Sequence, residues 1–407
     1  MSGFGLLGGK LSHSYSPLIH SYLGDYKYEL YEKQPCELEE FLLDTSINGL
    51  NVTIPYKKEV LKYCDVLTDV ADKTRSINTI VRKADGSLFG DNTDYYGFTY
   101  MIKRSGIDLK GRKVLLLGDG GSAATIKMAI QDMKAASLVT ISRRSDQNYD
   151  NIQNHYDSEI IINSTPVGMY PNNGESVIDI KNFEKCVALY DLIYNPSCTR
   201  LMYDALTNNI PAYNGLSMLV AQAKRSAELF IQTTIEDFVI EGIINKVAKK
   251  SMNVLLIGMP GSGKSTVGKA LAKLTNRCFI DTDDLISKTY NRDPADIILQ
   301  DGEPTFRDYE TKILREATKQ SGCVISTGGG VVTRDENKYL LRQNSVVVFL
   351  KRDLSLLSIW NRPISQNSDL QQLYNSRVDK YIGWSDYEIE CIDMSTTHIK
   401  IKEILGL

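Results

Sequence analysis

The sequence is poor in the features that mark secreted, membrane or nucleic-acid-binding chains. Its seven cysteines (Cys36, Cys64, Cys186, Cys198, Cys278, Cys323 and Cys391) are odd in number and form no C-x-x-C pair. That excludes a zinc knuckle or a disulfide scaffold. The expectation is reduced thiols packed as small apolar groups in a cytoplasmic protein. The four histidines are dispersed, so spacing builds no metal site, and His13 reads as a loop residue. Charge of one sign is also missing. With 47 Lys and Arg against 50 Asp and Glu, the formal net charge is -3, which gives no footprint for nucleic acid or an anionic membrane. No apolar run nears the roughly 20 residues of a membrane span. Met1 to Lys10 lacks the basic and apolar regions of a signal peptide. No internal repeat is visible. What remains is an ordinary globular composition, 42% hydrophobic and 24% charged, over 407 residues. Two or three domains are expected.

The stretch Val254-Leu255-Leu256-Ile257-Gly258-Met259-Pro260-Gly261-Ser262-Gly263-Lys264-Ser265-Thr266 organises the chain. Four apolar residues predict a buried parallel strand, and the residues after the loop have helical spacing. Between them lies G-x-x-x-x-G-K-[ST], a phosphate loop. Backbone N–H groups of Gly258, Gly261, Ser262, Gly263 and the first helical residues through Thr266 would wrap a phosphate at a helix N-terminus. Lys264 would reach the outer phosphates, and Ser265 would hold Mg²⁺. Such a loop normally follows the first strand of its own domain, so a domain is expected to begin near Met252. Further on, Asp281 and Asp283 stand at the end of a strand. They read either as Mg²⁺ and proton-handling carboxylates or as an N-cap with an acidic first turn. Gly328-Gly329-Gly330 leaves backbone open to a neighbour. Ile364 to Gln372 reads as a lid, and Arg377 is expected on the helix after it.

The part before Met252 carries a second nucleotide signature. Lys113 to Leu117 reads as a buried strand, followed by Gly118-Asp119-Gly120-Gly121-Ser122-Ala123 and a helix to about Met133. That is the dinucleotide fingerprint in its strand–turn–helix setting. A second strand, Leu138 to Ile141, ends in Ser142-Arg143-Arg144. Arginines there suit a 2′-phosphate and favour NADP over NAD. Ahead of this region, Ser14 and Ser16 precede Pro17, as N-caps or as an anion site. Asn51 and Thr53 alternate with Val52 and Ile54 on one strand face leading to Lys57. Asn78 and Asp94 sit in small polar clusters at element ends. Lys249-Lys250-Ser251 reads as a short polar joint between the halves.

At these residues the first part, about Met1 to Lys250, resembles shikimate dehydrogenase, and the second, about Met252 to Leu407, resembles shikimate kinase. The resemblance covers essentially the whole chain. It implies an α/β protein of three parts: a substrate domain at 1–95 completed by helices at about 225–248, a Rossmann-like NADP domain at 96–224, and a P-loop kinase domain at 252–407. It assigns Ser14 and Ser16 to the substrate carboxylate, and Asn51, Thr53, Asn78, Tyr194 and Gln222 to substrate binding. Lys57 becomes the acid/base with Asp94 beside it, and Gly118, Gly120, Gly121, Arg143 and Arg144 the NADP(H) contacts. In the kinase half it assigns Asp281 with Ser265 to Mg²⁺ and Asp283 to the substrate hydroxyls. Arg307, Gly328, Gly329, Gly330 and Arg377 fall at substrate positions, and Arg362 at the lid position.

The implied activity is NADPH-dependent reduction of 3-dehydroshikimate to shikimate, then phosphorylation by ATP and Mg²⁺ to shikimate 3-phosphate. Small molecules are the only partners it implies. Two departures stand out. Asp119 and Ser122 replace alanines of the usual fingerprint, so a carboxylate near the pyrophosphate is expected to repel it unless it points away. Ala124 stands where an arginine is usual. The alternatives are a dehydrogenase that takes quinate, and a ligand-sensing regulator built from inactive copies. Against the second, Lys57, Asp94, Lys264 and Asp283 are all present and no basic segment exists.

Overall fold

A computed structural model describes residues 3–11, 14–357 and 369–407. The chain folds into two compact units. One comprises Met1–Met169 with Glu175–Val247, the other Tyr170–Gly174 with Ala248–Leu407.

Two sheets build the first unit. One contains β1 (Gly3–Gly8), β2 (Tyr28–Glu32), β3 (Ile47–Val52), β4 (Val66–Leu67), β5 (Thr79–Arg82) and β6 (Leu88–Asp91), in the order β2-β1-β3-β5-β6-β4. It is mixed: β1 runs parallel to β2 and β3, while β5 runs antiparallel to β3 and β6. The other contains β7 (Lys113–Leu117), β8 (Ser137–Ile141), β9 (Ile160–Asn163), β10 (Ala188–Asp191) and β11 (Ala212–Asn214). It is parallel, in the order β11-β10-β9-β7-β8. Apolar residues on both faces of β7 explain why. Val114 and Leu116 pack with Phe98, Ile126 and Ile130, while Leu115 and Leu117 pack with Phe183 and Leu201. A strand covered on both sides reads as a continuous apolar run. Polar loops collect at the carboxyl ends of these strands, where open α/β sheets bind ligands.

Helices Asp94–Ser105 and Leu216–Ile231 pack on each other. A Cβ on Gly97 would lie 2.5 Å from Met218 O, so only glycine permits that approach. The contact sets Asp94, the first residue of one helix, near Gln222 of the other.

The second unit is one parallel sheet of β12 (Asn253–Ile257), β13 (Cys278–Asp281), β14 (Cys323–Ser326), β15 (Ser345–Lys351) and β16 (Tyr387–Glu390). Its order is β13-β14-β12-β15-β16. Every residue of β12 is buried, and its end delivers the phosphate loop to helix Lys264–Thr275.

Three expectations need correction. Lys249-Lys250-Ser251 is not a loop. It is the last turn of helix Phe238–Ser251, and β12 begins two residues later. Lysine is a good helix former and favoured at a C-terminus, and Arg277 donates to Lys249 O and Met252 O there. Cys278 and Cys323, expected as separate reduced thiols, lie opposite each other in register on β13 and β14 and are joined in a disulfide. Arg377 is not inside a helix but stands just before helix Val378–Trp384, with no capping hydrogen bond from its side chain. Of the lid segment, residues 364–368 lie outside the described residues, as do Arg362 and His13, and Leu370–Asn375 is a helix.

Candidate active sites

Lys57 follows the end of β3, and its Nζ lies 2.5 Å from Asp94 Oδ2. Both side chains are nearly enclosed, 13% and 10% exposed, so the pair is screened far less than a surface one. Asp94 Oδ1 accepts from Asn78 Nδ2 at 2.9 Å, and the same amide nitrogen reaches Gln222 Oε1 at 3.3 Å. The Asn78 amide has one orientation, because its Oδ1 accepts the Thr93 N–H at 2.7 Å. Lysine, carboxylate and two amides brought together from four elements can orient a hydroxyl or carbonyl and move one proton.

Beneath this group is a layer that no motif singles out. Ser226 Oγ meets Asn51 Nδ2 at 2.8 Å, Thr79 Oγ1 at 2.8 Å and Thr93 Oγ1 at 3.0 Å. The available signal was helical spacing, since Ser226 is four residues after Gln222 and on the same face. Asn51, expected to touch substrate, faces this layer instead. It is buried, with its donors spent on Asn78 O, Thr79 and Ser226 and its Oδ1 accepting from Tyr28. Thr53 is half-buried just beyond β3. Ser14 Oγ accepts the Ser16 N–H at 3.2 Å, and Ser16 is buried at the start of a helix. Between them Tyr15 stands 5.3 Å from the ring of Tyr194. The Tyr194 loop is tied down by Asp191, which accepts from Thr199 at 2.6 Å, Asn163 at 3.0 Å and the Ile193 N–H at 3.1 Å. Burial pushes the Asp191 carboxyl up to about 6 despite those donors.

At the dinucleotide fingerprint Gly118 has φ +98°, and a Cβ there would crowd Thr165 and Ser164. Gly120 and Gly121 face open space, as a pyrophosphate cradle requires. Asp119 does not stand as a bare charge, because Lys127 Nζ binds its Oδ1 at 2.7 Å. Arg143 and Arg144 are exposed on the loop after β8.

In the second unit a cleft of about 480 Å³ runs from Lys264 past Asp283 to Arg307 and Arg377. Positive φ at Gly258, Gly261 and Gly263 turns the loop, and Ser262 and Thr266 complete it. Lys264 Nζ donates to Gly258 O and Met259 O, both at 2.9 Å. Ser265 Oγ donates to Asp281 Oδ2 at 2.6 Å, while Asp281 Oδ1 accepts the Asp283 N–H at 3.0 Å. Asp281 is thus a helix cap and a hydroxyl partner together. Hard oxygens from a serine and a carboxylate side by side suit Mg²⁺. Asp283 Oδ1 is buried with no hydrogen-bond partner among the described residues. Burial, then the charges of Glu310 and Asp281, push its carboxyl up to about 7.

The glycine triplet makes room for these side chains. A Cβ on Gly328 would strike Glu310 and Asp283, and one on Gly330 would strike the Arg307 guanidinium. Arg307 itself binds Glu303 and Glu310, each at 2.7 Å. Glu310 went unnoticed in the sequence although it lies three residues after Arg307, on the same helix face. Arg377 Nη1 and the Tyr381 hydroxyl both donate to Gly329 O.

The family model "Shikimate dehydrogenase substrate binding domain" matches residues 6–80, and "Shikimate kinase" matches residues 260–398. A curated shikimate dehydrogenase (NADP(+)) of Clostridium perfringens (strain SM101 / Type A) is 35% identical over 251 residues, 56% of this chain and 92% of that protein. Among solved structures, a chorismate mutase/shikimate 5-dehydrogenase fusion protein from Clostridium acetobutylicum is 33% identical. It covers 61% of this chain and 98% of its own, with a TM-score of 0.59. The shikimate 5-dehydrogenase of Thermus thermophilus, solved with NADP(H) and shikimate, is 25% identical with a TM-score of 0.55 and covers 60% of this chain and 99% of its own. The chain belongs to the shikimate dehydrogenase family and carries a shikimate kinase domain in the same polypeptide, a fusion of two enzymes of the shikimate pathway.

Proposed function

We propose that the chain reduces 3-dehydroshikimate to shikimate with NADPH and then phosphorylates shikimate with ATP. The reading is carried by two assembled sets of side chains. One is Lys57–Asp94 with Asn78 and Gln222; the other is a phosphate-loop cleft ending on Asp283, Arg307 and Arg377.

In the reduction, the nicotinamide supplies the hydride to the ketone carbon. Lys57 gives a proton to the oxygen that becomes the new hydroxyl. Asp94 keeps the ammonium aimed and accepts from a ring hydroxyl, and Asn78 fixes the carboxylate in turn. Ser14 and Ser16 hold the substrate carboxylate, with Tyr194 closing over it. Gly118, Gly120 and Gly121 take the pyrophosphate, and Arg143 and Arg144 the 2′-phosphate.

In the second reaction the new hydroxyl attacks the γ-phosphorus of ATP, and the bond to the ADP oxygen breaks. Asp283 orients that hydroxyl and takes its proton, a task suited to a carboxyl raised to about 7. Lys264 leaves its loop carbonyls for the phosphates, and Arg307 and Arg377 grip the shikimate carboxylate. Ser265 and Asp281 would hold Mg²⁺, which supplies charge neutralisation on the phosphates.

The test uses the intact chain. NADPH absorbance is followed with 3-dehydroshikimate, MgATP is added, and the product is weighed by mass spectrometry. Shikimate 3-phosphate is the expected product. A faster turnover on quinate would replace the substrate assignment. Shikimate binding without either reaction would favour a sensing role.

A further inference from the structure

We propose that Asn92 and Tyr95 are positioning residues that bracket Asp94 and register the proton-donating pair against the helix that seats the cofactor. The inference rests on the reductase reading above and deepens it by naming what holds its two reacting partners in place.

The reduction needs a hydride donor and a proton donor in fixed register, and the two are carried by different sheets. The dinucleotide turn follows β7 and opens helix Ala123–Asp132. Asp94, which holds Lys57, follows β6 and opens helix Asp94–Ser105.

The residues on either side of Asp94 grip the cofactor helix at its two ends. Asn92 is buried and donates through Nδ2 to Thr125 Oγ1 at 2.8 Å, in the first turn of that helix. Thr125 is fully buried as well. One residue past Asp94, the Tyr95 hydroxyl donates to Asp132 Oδ2 at 2.7 Å, on the last residue of the same helix. Desolvation, then the bond to Asp132, pushes the Tyr95 phenol up to about 12, so it keeps the proton it donates. Thr125 and Asp132 are seven residues apart, which puts them on one helix face about 10 Å from each other.

The Asn92 amide has one orientation. Its Nδ2 also meets Thr74 Oγ1 at 3.1 Å, and that hydroxyl gives its own proton to Val70 O at 2.6 Å, so it accepts from Asn92. Asn92 Oδ1 is buried without a hydrogen-bond partner among the described residues, so the two Nδ2 bonds are what hold the side chain. The backbone is pinned beside it. The Asn92 N–H donates to Asp91 Oδ1 and the Thr93 N–H to Asn78 Oδ1, each at 2.7 Å.

The coupling is mechanical. Ile126, Ala129 and Ile130 of the cofactor helix pack with Phe98 and Met101 of the helix that Asp94 opens. Apolar contact keeps two helices together but has no direction, whereas hydrogen bonds at both ends fix slide and rotation. Asn92 anchors the chain two residues before Asp94 and Tyr95 one residue after it. The carboxylate between them follows the cofactor helix, and with it the ammonium of Lys57.

The experiment uses the full chain with Asn92→Ala, Thr125→Val and the two combined. Single-turnover NADPH oxidation by 3-dehydroshikimate and the KM for NADPH are measured, and amide hydrogen exchange is followed on the cofactor-free chain. Thr125→Val removes the acceptor from the cofactor helix without touching the segment that carries Asp94. It is expected to slow hydride transfer about tenfold, with the KM for NADPH changed by less than about twofold. The double variant should be no slower than the worse single one, because both break one link. In the free chain Thr125→Val should speed exchange at Thr93 to Tyr96 as well as in its own helix. Thr125→Ser keeps the acceptor and should restore wild-type values, and Tyr95→Phe should slow the reaction about threefold. Costs that multiply in the double variant, wild-type exchange at Thr93 to Tyr96, or a lowered melting temperature with unchanged hydride transfer would each overturn the bracket. A Tyr95→Phe chain as fast as the wild type would overturn its outer arm. Should Asn92→Ala fail to fold, the contrast between Thr125→Val and Thr125→Ser decides. A wild-type chain that oxidises no NADPH overturns the reductase reading instead, and the exchange of the free chain then judges the bracket by itself.

Discussion

Lys57 and Asp94 meet at 2.5 Å, and the carboxylate is held from its other side by Asn78, whereas in the kinase cleft Asp283 Oδ1 and Glu310 Oε1 are buried without a hydrogen-bond partner among the described residues. The dehydrogenase centre balances its charges internally. The kinase centre crowds three carboxylates, Asp281, Asp283 and Glu310, around one opening and raises the Asp283 carboxyl to about 7. An internally balanced pair suits a ketone group whose molecule carries its charge elsewhere, and the transfer of a single proton. A cluster in which Arg307 pairs Glu310 but the Asp283 oxygen is left without a donor, beside a phosphate loop, suits a reaction whose ligands bring donors with them. The same polypeptide thus illustrates preorganisation of two kinds.

The strongest way to break the comparison is to show that the sites depend on each other. Lys57→Ala should lower reduction by about 10²–10⁴-fold, the range for loss of a proton donor, and leave phosphorylation unchanged. Lys264→Ala should do the reverse. Loss of both activities in either folded variant would mean that the two centres are not separate.

Next in size is the disulfide between Cys278 and Cys323, which closes a separation of 45 residues within the second unit. Chain entropy assigns such a link about 4 kcal/mol. Reduction, or Cys278→Ser, should lower the melting of the kinase unit by roughly 10 °C. The dehydrogenase melt should not move. A shift of both transitions would show that the units unfold as one.

The Asp283 carboxyl gives a smaller, pH-dependent effect. Its folded pKa, about 7, lies above its ordinary value, so its contribution to stability is fully present below about pH 4 and is lost as pH rises through 7. From pH 5 to 7 the kinase unit should lose on the order of 2 kcal/mol relative to Asp283→Asn. Calorimetry across that range tests the sign. A flat profile in the wild type would mean that the carboxylates are solvated and the contrast between the centres is false.

How far these features were legible in the sequence depends on how local their causes are. The phosphate loop and dinucleotide turn were readable because glycine spacing, strand and helix occupy one short stretch. Lys57 and Asp94 could be named, but their pairing spans 37 residues, from the turn after β3 to the first residue of helix Asp94–Ser105. Ser226 and Glu310 carry no motif. Their roles arise from what packs against them, and a hydroxyl or carboxylate on a helix reads as solvated until its neighbours are known. Cys278 and Cys323 lie too far apart in sequence for spacing to suggest a link, and only the strand register brings them together. Lys249 and Lys250 misled through polarity, since a charged pair reads as a loop although lysine continues a helix readily.

The smallest effect concerns the dehydrogenase's own charge balance. Asp119 sits in the pyrophosphate turn where a bare carboxylate would repel the cofactor, and Lys127 holds it at 2.7 Å. The two side chains are 55% and 33% exposed, so water and salt screen the pair. Removing the acid by Asp119→Ala frees Lys127 and should tighten NADPH by no more than about threefold. Removing the base by Lys127→Ala leaves the carboxylate facing the pyrophosphate and should weaken NADPH by a similar factor. The opposite signs are what matter. If both variants bind NADPH like the wild type at low salt, the pair is solvated and Asp119 is silent. If both weaken it, Asp119 holds the turn itself, and the dehydrogenase half owes its cofactor site to backbone shape rather than to balanced charge.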